Sequence, residues 1–217
     1  MKILVKTTLF LTMLSMTACE SEKETKKVNQ NAFEQPFKTL LVYPKQKLLG
    51  AFQLKQDNQS DFTLENFRGK WHLIFMGFAQ CPDVCPTTLS DISAIYRELS
   101  DTAKGQIQVV FLSVDPQRDT LEYLNRYVKH FDPGFIGITG QKEQIDLLVG
   151  DLGGIYSINN DADNTERNNY TVDHTARIFI VSPDATRYGI ISSEFFQSQD
   201  KSLLIKDLQK MALSLVN

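Results

Sequence analysis

Residues 71–88, "WHLIFMGFAQCPDVCPTT", join a near-continuous apolar run directly to two cysteines four positions apart, each followed by proline. Such a run suits a strand covered on both faces, because a half-exposed strand would alternate polar with apolar. Leu89, Ile92, Tyr96 and Leu99 then recur at helical spacing, so the cysteines stand between a buried strand and the helix that follows it. A strand of that kind needs layers above and below it, and the rest of the chain can supply them. "DFTLENFRGKW" gives a short strand and a turn at Arg68-Gly69-Lys70, and "QIQVVFLSVD" (106–115) is a second buried strand. Asp119 with Glu122 matches a capping box, opening a helix with Leu121, Leu124 and Val128 on one face. "GFIGIT" is a short strand, "QKEQIDLLVGDLG" a short helix, and "DKSLLIKDLQKMALSLV" an amphipathic closing helix. "ARIFIVS" and "TRYGIIS" flank a turn at Pro183-Asp184 and pair antiparallel. The expected class is therefore α/β, a central mixed sheet flanked by helices.

The two ends stand apart from this pattern. The first 18 residues carry lysines at 2 and 6 and then an apolar stretch too short to span a bilayer, which reads as an export signal. The small residues Thr17 and Ala18 before Cys19 resemble a bacterial lipoprotein signal, in which the cysteine is lipidated and becomes the mature N-terminus. Met16 departs from the leucine usual at its place, and a plain signal peptide cut nearby is the alternative. Residues 20–36 are polar and charge-mixed and read as a flexible tether. Residues 19–47 are accordingly assigned to a tether and N-terminal extension, and 48–217 to one domain. Without residues 1–18 the chain has 21 basic and 26 acidic residues, net −5 against −3 for the whole. An acidic chain with no basic run gives no footing for nucleic acid.

Export places the cysteines in an oxidising compartment. A pair four residues apart closes too small a loop to stabilise a domain this size by much, so chemistry explains it better than stapling. Two cysteines in the first helical turn would have Cα atoms about 6 Å apart, near the upper end of disulfide geometry, and could also grip one ion. Pro86 suits the first helical position, which would make Cys85 the N-cap and its thiol easily ionised by the helix dipole. Of three histidines, His72 at the start of a buried strand and His130 at a helix end read as structural. His174 lies between a polar loop or hairpin insertion, residues 157–174, and a buried strand. That junction faces the start of the cysteine helix in the strand and helix order seen here, so His174 is the candidate third ligand. Asp161 and Asp163 of the insertion lack the glycine and glutamate of a calcium loop.

The order of elements, with cysteines just after the first long strand, is thioredoxin-like, although thioredoxins space them C-x-x-C. "CPDVCP", "SVDPQRDT" and "YTVDHTARIFIVSPDA" together resemble the Sco/SenC family, membrane-tethered thioredoxin-like proteins that help assemble the copper centre of cytochrome c oxidase. The resemblance covers residues 48 to 214. It implies that Cys81, Cys85 and His174 bind one copper, Cu(I) or Cu(II), per domain. Asp115 and Asp173, in family motifs, are assigned supporting or docking roles. The implied partners are the copper-receiving oxidase subunit, other copper carriers or thiol reductases, and a membrane reached through the N-terminal lipid. The domain would sit on the periplasmic or outer side of the cytoplasmic membrane. Two soft thiolates and an imidazole suit copper better than zinc, whose structural sites take four protein ligands. No proline follows His174 in "HTAR", where thioredoxins hold peptide substrates, which favours a copper chaperone over an enzyme. An exported thiol-disulfide oxidoreductase using Cys81 and Cys85, or a redox or copper sensor, are the competing readings. A peroxiredoxin is disfavoured because the Thr-x-x-Cys pattern is missing before Cys81.

Overall fold

The computed structural model describes residues 36–159, 170–192, 194–197 and 201–215. The proposed signal at 1–18, Cys19, the tether up to residue 35, and Asp161 and Asp163 lie outside the described residues.

In chain order come β1 (Leu40–Leu48), β2 (Gln53–Gln56), β3 (Asp61–Thr63), a 3-10 turn (Leu64–Phe67) and β4 (Trp71–Gly77). Next are α1 (Val84–Glu98), α2 (Asp101–Gln106), β5 (Ile107–Ser113), α3 (Leu121–Phe131), β6 (Ile136–Thr139) and α4 (Lys142–Leu152). The chain continues through β7 (Tyr156–Asn159), β8 (Thr171–His174), β9 (Ile178–Val181), β10 (Thr186–Ile191), α5 (Glu194–Gln197) and α6 (Ser202–Leu213). Eight strands form one sheet in the order β1-β10-β9-β4-β5-β6-β2-β3. β4, β5 and β6 run parallel, and β9 and β10 pair antiparallel, giving the mixed thioredoxin-like sheet expected from the sequence.

The side-chain period of a strand sorts the core into two layers. On one face Leu73, Phe75, Val109 and Phe111 pack against α1, α3 and α6. On the other Ile74, Met76, Val110 and Leu112 pack against α4 and the segment around β2 and β3. Both long central strands are thus buried on both faces, the reason their sequences show no polar alternation.

Three sequence-based expectations change. The folded region begins before residue 48: β1 pairs with β10 from Leu40↔Ile191 to Leu48↔Thr186. Its alternating, lysine-containing sequence belongs to an edge strand with one wet side, a pattern that reads as linker. The capping box proposed for Asp119 and Glu122 is absent, because Thr120 is the N-cap of α3 and its hydroxyl accepts from Tyr123 N. Asp119 turns inward instead. At α1 the N-cap is Asp83, so Cys85 and Pro86 both lie inside the first turn. First-turn N–H groups have no intrahelical partner, so proline is tolerated at more than one position there and does not fix the helix start.

Candidate metal centre

Gly77 ends β4, and its missing side chain makes room for the site. A Cβ at this position would lie 2.7 Å from Cys85 Sγ and 3.1 Å from the Phe111 ring. Cys85 therefore seats its sulfur directly against the strand backbone and is fully buried. The loop from Phe78 to Asp83 is tied down from below: Ala79 N donates to Asp119 Oδ2 at 2.7 Å, and Ser113 Oγ donates to the same oxygen at 2.6 Å. Cys81 stays half-buried at the mouth and accepts the Cys85 N–H on its sulfur at 3.4 Å. The helix amide that was expected to act on Cys85 thus acts on Cys81.

Burial pushes the Cys85 thiol far above its usual range, with the neighbouring Cys81 adding to the effect. This reverses the expectation of an easily ionised Cys85. A helix N-terminus supplies at most about 1–2 kcal/mol, whereas full desolvation moves a pKa by up to about 3–5 units, so desolvation wins. Without a cation Cys85 is held as the neutral thiol; a bound cation would favour its thiolate.

His174 ends β8, whose antiparallel partner β7 aligns Tyr156 with His174. The ribbon's pairing continues one step beyond His174, with Thr175 N donating to Ile155 O at 2.9 Å and Ile155 N donating to Thr175 Oγ1 at 3.0 Å. The imidazole Nε2 lies 3.5 Å from Cys85 Sγ, and Nδ1 lies 3.4 Å from Thr175 O. A proton on Nδ1 leaves the Nε2 lone pair aimed at the cysteines. Burial lowers the His174 pKa, keeping the ring neutral as a ligand must be. Phe75 and Phe78 meet it edge-on, at 6.1 and 6.3 Å between centroids. Sulfur and nitrogen ligands bonded at about 2.3 and 2.0 Å, with an angle of about 110–120°, sit roughly 3.5–3.7 Å apart. The Cys85–His174 separation fits that spacing. Among the described residues no three Cys, His, Asp or Glu groups are already closed into one shell. Cys85 and His174 are the preformed pair, and Cys81 stands at the lip of the same cleft of about 440 Å³.

The two flagged aspartates differ. Asp115 is fully buried and takes hydrogen bonds from Arg118 Nε and the Tyr170 hydroxyl. Asp173 is exposed and accepts from Asn159 Nδ2 at 2.6 Å across the ribbon. His72 is buried against Phe67 with Nδ1 3.1 Å from Lys70 O, and His130 is exposed at the end of α3. Arg118, Asp119, Tyr170 and Gly77 were not singled out as site residues from sequence, because their roles depend on partners brought together only by the fold.

The family model described as SCO1/SenC matches residues 42–212, a range containing both cysteines and His174. The chain belongs to the SCO1/SenC family. It is 36% identical over 152 residues to a candidate copper-binding protein of Stutzerimonas stutzeri, covering 70% of this chain and 72% of that one. It resembles apo Sco1 of Thermus thermophilus with a TM-score of 0.68 and 34% identity, covering 78% of this chain and 94% of the other. With copper-bound ScoI of Arabidopsis thaliana the TM-score is 0.62 and the identity 29%, over 78% and 98% of the two chains. The chain spans 39–64% of the length of longer SCO relatives that it also matches.

Proposed function

We propose that this SCO1/SenC protein binds one copper ion through Cys81, Cys85 and His174, and that it serves cytochrome c oxidase assembly. It would deliver copper to the oxidase copper centre or keep the receiving thiols reduced, held to the outer side of the cytoplasmic membrane by a lipid on Cys19. The observation that carries the reading is the 3.5 Å approach of His174 Nε2 to Cys85 Sγ, with Cys81 beside them. Soft sulfur donors favour Cu(I), and the imidazole adds the nitrogen that Cu(II) prefers. The copper-bound relative and the description of Sco as a family of cytochrome c oxidase assembly proteins support the assignment. Copper here is cargo, and a half-buried Cys81 at the mouth gives a receiving site a sulfur to reach first. Among the described residues no helix is long and apolar enough to cross a membrane; the proposed anchor is read from the N-terminal sequence.

The test is respiratory. A deletion strain should lose oxidase activity and regain part of it with added copper, and protein purified from the exported fraction should carry about one copper. Thiol–disulfide exchange is the second reading, favoured by the Cys85 N–H to Cys81 Sγ contact, which brings the Cys81 sulfur against the first turn of α1. Copper-free, fully oxidised protein from cells, with oxidase activity indifferent to copper, would put that reading first. Transcriptional changes with intact oxidase would instead favour a sensor.

A further inference from the structure

Arg118, in the loop between β5 and α3, is far from the cysteines in sequence but borders the same cleft. Its guanidinium lies between two rings, 3.8 Å from the centroid of Tyr170 and 5.3 Å from that of Phe78. Nε donates to Asp115, and Nη1 donates to the Tyr170 carbonyl at 3.1 Å. The Tyr170 hydroxyl donates to the other oxygen of Asp115. Tyr170 immediately precedes β8, four residues before His174, and the far side of this stack is Phe78, which meets the His174 ring edge-on. A fully buried carboxylate receiving two donors from one clamp is an expensive arrangement to leave half-made. The clamp also joins two segments 52 to 55 positions apart, a loop from the sheet and the strand that carries the imidazole.

We propose that Asp115, Arg118 and Tyr170 form a latch that positions His174, fixing the β7–β8 ribbon against the cysteine loop and so setting the imidazole's distance from Cys85. These are positioning residues: none is needed as a ligand. The copper consequences rest on the ligand set proposed above, but the latch itself does not.

The primary experiment is therefore metal-free. In the reduced apo protein, hydrogen exchange of the backbone amides of residues 171–174 is compared with that of β4 and β5, in wild type and Tyr170→Phe. Loss of the one hydroxyl should speed ribbon exchange about tenfold while the central strands keep their protection, since a hydrogen bond to a charged group is worth about one such factor or more. Arg118→Lys keeps the charge but loses the planar fork and the stacking, and should act in the same direction; it also serves if Tyr170→Phe fails to fold. Asp115→Asn combined with Tyr170→Phe should give less than the sum of the single effects, because both break one unit. Ribbon exchange unchanged in both Tyr170→Phe and Arg118→Lys, or an equal rise in β4 and β5, overturns the latch. With copper added, Tyr170→Phe should bind Cu(II) about tenfold more weakly with Cu(I) little affected. Failure of the copper reading shows separately, as a His174→Ala protein that binds Cu(II) like wild type.

Discussion

At Gly77 a single hydrogen atom in place of a methyl decides where a sulfur can sit. Gly77→Ala puts a Cβ 2.7 Å from Cys85 Sγ in a fully buried setting, with the Phe111 ring closing the other side. Overpacking of this kind costs about 1–3 kcal/mol, so the melting temperature should fall and Cys85, forced outward, should alkylate faster than in wild type. Unchanged alkylation would mean the strand yields instead of the cysteine. His72 offers a second residue-scale check. Burial holds its pKa at about 4, below the ordinary 6.5. A depressed pKa contributes stability that is present above 6.5 and is lost as pH falls through about 4, because the unfolded chain takes the proton first. That loss amounts to about 3 kcal/mol between pH 7 and 4. His174, also lowered by burial, adds to it in the same direction. Urea unfolding at the two pH values should show a smaller drop for His72→Gln than for wild type; equal drops would mean that His72 is not the titrating group. The candidate residues that sequence made legible are those whose chemistry is their own: two cysteines four positions apart, of which only Cys85 falls in the first turn of α1, and a histidine before a buried strand. The states of Asp119 and Cys85 are not legible in this way, because they come from neighbours. The backbone N–H of Ala79 and the hydroxyl of Ser113 draw Asp119 inward, and burial against Gly77 overrides the helix dipole at Cys85.

At the scale of elements, apolar runs without alternation placed β4, β5 and β9 correctly, since a strand buried on both faces leaves no other pattern. Edge strands leave a weaker trace. β1, "LLVYPKQKL", buries Leu40 and Val42 but is otherwise largely exposed, and its proline and lysines suit an edge that must not recruit another strand. The strand is nonetheless tied to the end of the chain: Asp207 Oδ2 in α6 accepts from Lys38 N at 2.8 Å and from Thr39 N at 2.7 Å. A protein starting at residue 36 should therefore melt like the longer form. One starting at residue 49 loses two buried aliphatic side chains at about 1.5–3 kcal/mol each and leaves Asp207 buried without those donors. Against a typical total of about 5–15 kcal/mol, that truncation should lower the melting temperature by many degrees or prevent folding. If thermal unfolding shows no difference, β1 is an accessory. The ribbon of β7 and β8 was legible as a polar loop or hairpin insertion, but its tie at Tyr170 was not, because that depends on Asp115 and Arg118.

At the scale of the whole molecule, the proposed lipid on Cys19 would hold the folded domain near a membrane. Cys19→Ser should move the protein from the membrane fraction to the soluble exported fraction, as read by fractionation and blotting; a mutant still fully membrane-bound would mean that the N-terminal apolar segment is retained. The central claim, however, is the ligand set. Cu(II) titration of reduced wild type and His174→Ala, followed by thiolate-to-copper charge-transfer absorption, tests it most directly. Wild type should saturate near one copper per chain with a strong band. His174→Ala should lose most of that band and bind Cu(II) at least tenfold more weakly, because one ligand plausibly contributes a few kcal/mol and each 1.4 kcal/mol is tenfold. Its Cys81–Cys85 pair should still oxidise and reduce, since the imidazole takes no part in that bond. An equal band and equal affinity in His174→Ala would contradict the account, removing His174 from the site and moving thiol–disulfide chemistry ahead of copper.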